Sequence, residues 1–155
     1  MTRRSRGDSG SALVEFTWLA LILLVPLVWI VMSVFEVQRG AFAVSAAARA
    51  AGRAYALAPD DATGAARAQA VAEQVLADQG SPGQEVRVAV SCTSPEGSCH
   101  VGTAVITVRV DSSVRLPASP DILGEDAATF ALSSSHTVPI GQYVESAPDK
   151  AGESP

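Results

Sequence analysis

The sequence has little of what catalytic and nucleic-acid-binding proteins usually carry. Its 155 residues include two cysteines and two histidines, and acidic residues outnumber basic ones by 16 to 11. A net charge of −5 argues against nucleic acid as a partner, because phosphate binding depends on Lys and Arg. No Ser-His-Asp arrangement, paired-carboxylate motif, glycine-rich phosphate loop or zinc signature is present, so we expect no enzyme activity, cofactor or metal site.

Large apolar side chains are scarce outside one segment. After residue 36 the chain has only two tyrosines and two phenylalanines, and it is rich in Ala, Ser, Gly and Pro. Such a domain buries only a thin core, so we expect its stability to be marginal.

That one segment, residues 16–35, contains no formally charged residue. As a helix its 20 residues span roughly 30 Å, the thickness of a bilayer core. Arg3, Arg4 and Arg6 precede it and acids dominate after it, which predicts a single-pass membrane protein with a cytoplasmic N terminus and an exported C-terminal part. The alternative is a cleaved secretory signal, with a cleavage site in the Ala-rich stretch from Ala41. The apolar region of such a signal is usually about 7–15 residues, so we expect this helix to be retained.

The rest of the pattern predicts an α+β fold. Residues 36–58 lack proline and are dominated by Ala, so we expect the apolar helix to continue outside the membrane. Small residues there either allow a helix or sheet to approach closely or reflect only composition and helix propensity. A turn at Pro59 starts a second, short helix that ends at Gly80. Apolar residues at period two predict strands near residues 86–90 and 103–110. We expect a third strand near residues 129–138 and a small antiparallel sheet formed by all three.

These elements divide the chain into four parts. Residues 1–10 form a basic leader peptide, and residues 11–58 form the transmembrane and extended helix. Residues 59–140 form a small exported α+β domain, and residues 141–155 form a polar tail that we expect to be disordered.

Cys92 and Cys99 bracket the loop between the first two predicted strands. In an exported domain this arrangement favours a disulfide, which would stabilise the fold by roughly 2.5 kcal/mol on the chain-entropy model. Free thiols are one alternative. A metal site with His100 as third ligand is another, although zinc-binding cysteines are usually closer in sequence. His100 and His136 are otherwise expected to be surface residues of strands.

Glu15 lies near the start of the apolar helix. A carboxylate in a membrane helix costs on the order of 3 kcal/mol at mid-bilayer and less near the interface. One interpretation places Glu15 at headgroup level, where it favours the positive end of the helix. The other starts from the order of residues: a basic leader, Gly10, four residues, Glu15-Phe16 and a long apolar helix.

This order resembles the class III signal of type IV pilins, most of all the tight-adherence (Flp) branch, and the layout resembles the TadE-like pseudopilins. The resemblance extends over residues 36–39, the Ala/Arg stretch at residues 46–53 and the strands, but not the tail after Tyr143. It implies that a prepilin peptidase cuts between Gly10 and Ser11 on the cytoplasmic side and that the helix is retained. It also implies that Glu15 pairs with the Ser11 amine of a neighbouring subunit and sets the axial register of assembly.

The function that this resemblance implies is that of a minor pilin or pseudopilin supporting assembly of a tight-adherence pilus. Its partners would be the membrane, other pilins, the assembly machinery and the prepilin peptidase. The Ala-rich outer helix would contact the other pilins. The alternative is a signal-anchored exported protein with a small binding domain, in which Gly10 and Glu15 have no special role.

Overall fold

The computed structural model of the chain describes residues 9–80, 83–94, 98–116 and 129–142, with side chains from Ala12 onwards. It contains, in chain order, helices α1 (Ser9–Ala56) and α2 (Asp61–Asp78) and strands β1 (Arg87–Thr93), β2 (Val105–Arg115) and β3 (Thr129–Pro139). The predicted α+β class, with a long apolar helix, a short second helix and a three-stranded antiparallel sheet, is confirmed. The leader up to residue 8, the connection at 117–128 and the tail from residue 143 lie outside the described residues.

Helix α1 runs for 48 residues, which at 1.5 Å per residue is roughly 70 Å. Its first half consists mainly of large apolar residues and includes Pro26, and its second half is dominated by Ala. Residues 12–32 are exposed, whereas one face is buried from Gly40 onwards. The helix therefore has a bare part, residues 12–35, called the stalk below. Its remainder packs against α2 and the sheet and forms the head with them.

Helix α2 begins at a side-chain cap. Asp60 Oδ1 accepts a hydrogen bond from the Thr63 N–H at 2.8 Å, which satisfies one of the free donors of the first turn. Gly80, with φ +86°, follows the last turn and lets the chain reverse. One face of α2 is buried, as its apolar periodicity predicts; the buried residues are Gly64, Ala68, Ala72 and Leu76.

The sheet has the order β1-β2-β3 with antiparallel pairing throughout. The inward side chains of β2, Ile106, Val108 and Val110, are fully buried, in agreement with the predicted alternation. Strand β2 continues to Arg115, beyond the alternating run, so the sheet extends along α1 towards the stalk.

The core is a thin layer between the small-residue face of α1 and the sheet. Ala47, Ala48 and Ala51 are completely buried. The largest fully buried side chains are Leu76, Ile106, Val44, Val108 and Val110. The small residues in the second half of α1 therefore let this chain's own sheet and second helix pack closely against it.

Two glycines mark the closest approach of α1 to the sheet. A Cβ added at Gly40 would lie 2.6 Å from Leu132 Cδ1 and closer still to Val114 Cγ1. At Gly52 it would lie 3.1 Å from Val138 Cγ2. No side chain fits at Gly40 unless the side chains of Val114 and Leu132 shift.

We expect Gly40→Ala to destabilise the head by about 1–3 kcal/mol, although Ala is the better helix former by about 1 kcal/mol. The added methyl group collides with Val114 and Leu132. Denaturant unfolding of the full chain in detergent micelles measures the change. Gly141→Ala is the matched control, because no atom lies within 4 Å of its added Cβ. Equal stability of the two variants would contradict the steric explanation.

Candidate functional site

The predicted processing site lies in the first turns of α1. The backbone of Gly10 and Ser11 is helical, and the described side chains begin at Ala12. Glu15 is exposed on the same helix. Ser11 and Glu15 are four residues apart, so they lie on one helix face, one turn from each other.

The stalk makes α1 the one helix, among the residues described, that is long and apolar enough to cross a membrane. Its polar side chains bond to the helix itself. Thr17 Oγ1 donates to the Leu13 carbonyl at 2.8 Å, and Ser33 Oγ donates to the Trp29 carbonyl at 2.9 Å. These hydroxyls need no water, which is the condition for placing them in hydrocarbon.

The two cysteines form the disulfide that their spacing favoured. Cys92 lies in β1 and Cys99 in the turn before β2, with their Cα atoms 5.6 Å apart. Because both sulfurs are used in this bond, the alternatives of free thiols and of a thiolate metal site with His100 do not apply. Within the described ranges, no three His, Cys, Asp or Glu side chains are grouped to hold a metal.

His100, the residue after this disulfide, lies in a polar cluster where α1 meets α2. Its Nδ1 is 2.6 Å from Asp61 Oδ1, and its Nε2 is 3.0 Å from the Tyr55 carbonyl oxygen. The Tyr55 hydroxyl donates to the same Asp61 oxygen at 3.1 Å, and the Tyr55 and His100 rings stack with centroids 5.0 Å apart. The Cys99 N–H donates to Asp61 Oδ2 at 3.4 Å. Asp61 therefore joins the disulfide loop to the start of α2.

The prediction that His100 is a surface strand residue is wrong. Its side chain is 12% exposed and lies in a turn, because the carboxylate of Asp61 and the ring of Tyr55 hold it at the helix junction. Both ring nitrogens face atoms that only accept hydrogen bonds. His136 does lie in a strand, where it is half-buried in β3.

Burial and hydrogen bonding shift the pKa values of this cluster. For Asp61 the largest influence is burial, which raises the pKa, but hydrogen bonds from His100, Cys99 and Tyr55 together outweigh it and lower the pKa below its ordinary value. Burial, followed by the hydrogen bond and charge of Asp61, raises the pKa of Tyr55 from 10.0 to about 12. At neutral pH Asp61 is therefore an ionised acceptor and Tyr55 a neutral donor.

The other end of α2 is bonded to α1 through Arg39. Its Nη2 donates to the Gln79 carbonyl oxygen at 2.8 Å. A cation at a helix C terminus satisfies a free carbonyl and favours the negative end of the helix dipole. Because Tyr55 bonds to Asp61 at the opposite end, both ends of α2 are attached to α1.

Comparison with known proteins finds no family model, no curated protein and no solved structure that matches the chain. Of the residues singled out from the sequence, the structure brings Cys92 and Cys99 together. Glu15 lies roughly 60 Å along α1 from the polar cluster of Tyr55, Asp61 and His100. The sequence did not predict that cluster. The only local signal for this cluster was Asp61, which lies next to the helix cap. No spacing rule links Asp61 to His100, so the sequence did not show that they meet.

Replacing both Cys92 and Cys99 with Ala should lower the free energy of unfolding by roughly 2–3 kcal/mol, because the open loop regains conformational entropy in the unfolded chain. Denaturant unfolding in micelles measures this, and reduced wild-type protein should match the variant. If oxidised wild type and variant unfold at the same denaturant concentration, the disulfide does not stabilise the head.

Tyr55 should make stability depend on alkaline pH. Its folded-state pKa of about 12 exceeds the unfolded value of 10.0. The contribution of Tyr55 to the free energy of unfolding is therefore complete below pH 10 and is lost as the pH rises towards 12. Phenolate absorbance of a Tyr143→Phe chain reports Tyr55 alone. Adding Asp61→Asn should move the titration midpoint down, though not fully to 10.0, since burial remains. A folded-state midpoint near 10 before that change would contradict the assignment.

Proposed function

We propose that this chain is a minor pilin or pseudopilin that supports assembly of a tight-adherence (Flp) pilus. The observation that carries the proposal is the order of Gly10, four residues and Glu15 at the start of a helix that is bare and apolar at first and built into a folded head afterwards. This is the layout of the TadE-like pseudopilins that the sequence resembles.

The continuity of α1 supports this function. No turn or loop separates the stalk from the head, and Gly40 already packs closely against Val114 and Leu132. A movement of the stalk along its axis therefore carries the head with it. An assembling subunit needs such coupling, whereas a binding domain held at a membrane needs only a flexible tether.

The proposed orientation has the N terminus in the cytoplasm and the head outside. Three arginines precede the stalk, as the positive-inside rule requires of a cytoplasmic end. The disulfide between Cys92 and Cys99 suits an oxidising compartment. In this orientation the bond between Gly10 and Ser11 lies on the side where the prepilin peptidase of the resembled family acts.

The surface proposed for neighbouring pilins is the face of α1 that points away from the head. It carries Phe35 and Phe42, which are seven residues apart and so share one face. They are 64% and 74% exposed. Ala43 and Ala47 are buried in the chain's own core. We therefore assign contacts between subunits to the Phe face and not to the buried Ala residues of this helix.

Glu15 would define the register between subunits. Cleavage after Gly10 creates a new amine at Ser11, one helix turn before Glu15. A neighbour displaced by about one turn, roughly 5–6 Å, brings its amine level with Glu15. Pairing the two opposite charges offsets the cost of holding a lone carboxylate in an apolar bundle.

Gly10→Leu should block cleavage, because the family's peptidase cuts after glycine. The test is N-terminal sequencing of the membrane-bound protein from its host: wild type should begin at Ser11, and the variant should retain its leader. A wild-type chain that keeps Met1, or one cut after the stalk, would support an anchored or secreted protein instead.

Glu15→Val should leave membrane insertion and head stability unchanged but reduce incorporation into pili, because the charge that sets the register is lost. Thr17→Val is the matched control, since it also removes a polar group from the exposed stalk. The measurement is the amount of protein in sheared surface fibres relative to the membrane fraction. Equal incorporation of both variants would count against a role for Glu15.

A further inference from the structure

A shallow apolar groove of about 320 Å³ lies where the stalk meets the head. Trp29, Val34 and Val37 of α1 form one side of it. Leu116, directly after β2, and Phe130, near the start of β3, form the other. Phe130 is 48% exposed, and a half-exposed aromatic ring beside an apolar groove favours an apolar occupant.

The position of the groove along α1 indicates which occupant this is. The uncharged residues 16–35 match the thickness of the hydrocarbon core of a bilayer. Trp29 lies six residues before the end of this segment and Val37 two residues after it. The groove therefore extends from about 9 Å inside the outer hydrocarbon boundary to about 3 Å outside it. Leu116 and Phe130, across the groove, lie at the same level.

The polar groups at the groove are compatible with lipid. The Ser33 hydroxyl already donates to the Trp29 carbonyl at 2.9 Å and needs no partner from an occupant. Gln38 is exposed at the end farther from the stalk, at the level of the headgroups. The groove is also continuous with the stalk surface, which is itself exposed along its length. Phe42, the candidate contact with a second subunit, is on the opposite face of α1.

We propose that acyl chains of the outer leaflet fill this groove, so that Leu116 and Phe130 insert into the membrane interface. The head is then attached to the bilayer at the ends of two strands as well as through α1. This surface depends on insertion of the stalk with the head outside, and it holds whether or not the chain is cleaved after Gly10.

The test is spin labelling of the full chain in phosphatidylcholine and phosphatidylglycerol vesicles. Both native cysteines are in the disulfide, so a single introduced cysteine takes the label. Phe130→Cys probes the groove, and Leu23→Cys is the control within the span. Thr137→Cys is the aqueous control, exposed on the same strand about 23 Å away. Collisions of each label with oxygen and with a water-soluble nickel chelate are then measured.

The label at position 130 should give a ratio of oxygen to nickel collisions several-fold above that at position 137 and below that at position 23, because position 23 lies deeper in the hydrocarbon. A ratio equal to that at position 137 would place Phe130 in water and overturn the proposal. Protection from both reagents would overturn it too, because protein would then cover the groove. Spectral broadening that disappears on dilution with lipid would identify that protein as a second copy.

A conservative variant guards against distortion by the label. Phe130→Trp, in a chain with Trp18→Phe and Trp29→Phe, supplies one fluorophore. Lipids brominated near the start of the acyl chain should quench its emission more than lipids brominated at the chain end. Emission unaffected by either lipid would refute the lipid contact.

Discussion

Close approach of the sheet to α1 is the constraint on which the rest of the structure depends. It is possible because most of the facing residues of the helix are Gly and Ala: Gly40 leaves room for the side chains of Val114 and Leu132, and Gly52 lies against Val138. With the helix so close, short side chains such as Val108 suffice to fill the space between the layers. A thin core is therefore compatible with dense packing, although it buries less apolar surface than a thick one.

Polar contacts and one covalent bond compensate for that thin core. Arg39 holds one end of α2, and Asp61 holds the other end together with Tyr55, His100 and the disulfide loop. The stacked rings and the shared carboxylate are partly shielded from water. Hydrogen bonds to a charged group contribute more to stability in such a place than at an exposed surface. These contacts fix the direction in which α2 leaves α1.

One uninterrupted helix links the two proposed interactions of the chain. The face of α1 that carries Phe35 and Phe42 points away from the head and is available to other subunits. The other face holds the head, whose membrane-proximal end carries Leu116 and Phe130 beside the stalk. The head thus occupies one side of the helix, and the proposed subunit contacts lie on the other.

The sequence by itself determined the elements and favoured the disulfide. Apolar length marks the stalk, Ala content continues the helix, alternating Val and Ile mark the strands, and Cys92 and Cys99 flank one loop; each of these signals lies within a few neighbouring residues. Tertiary structure alone decided which face of the Ala-rich helix is buried, that His100 meets Asp61, and that Phe130 lies beside the stalk. Those outcomes depend on how separate elements pack. A residue's propensity and periodicity carry no information about a partner that is 39 positions away and brought close only by folding.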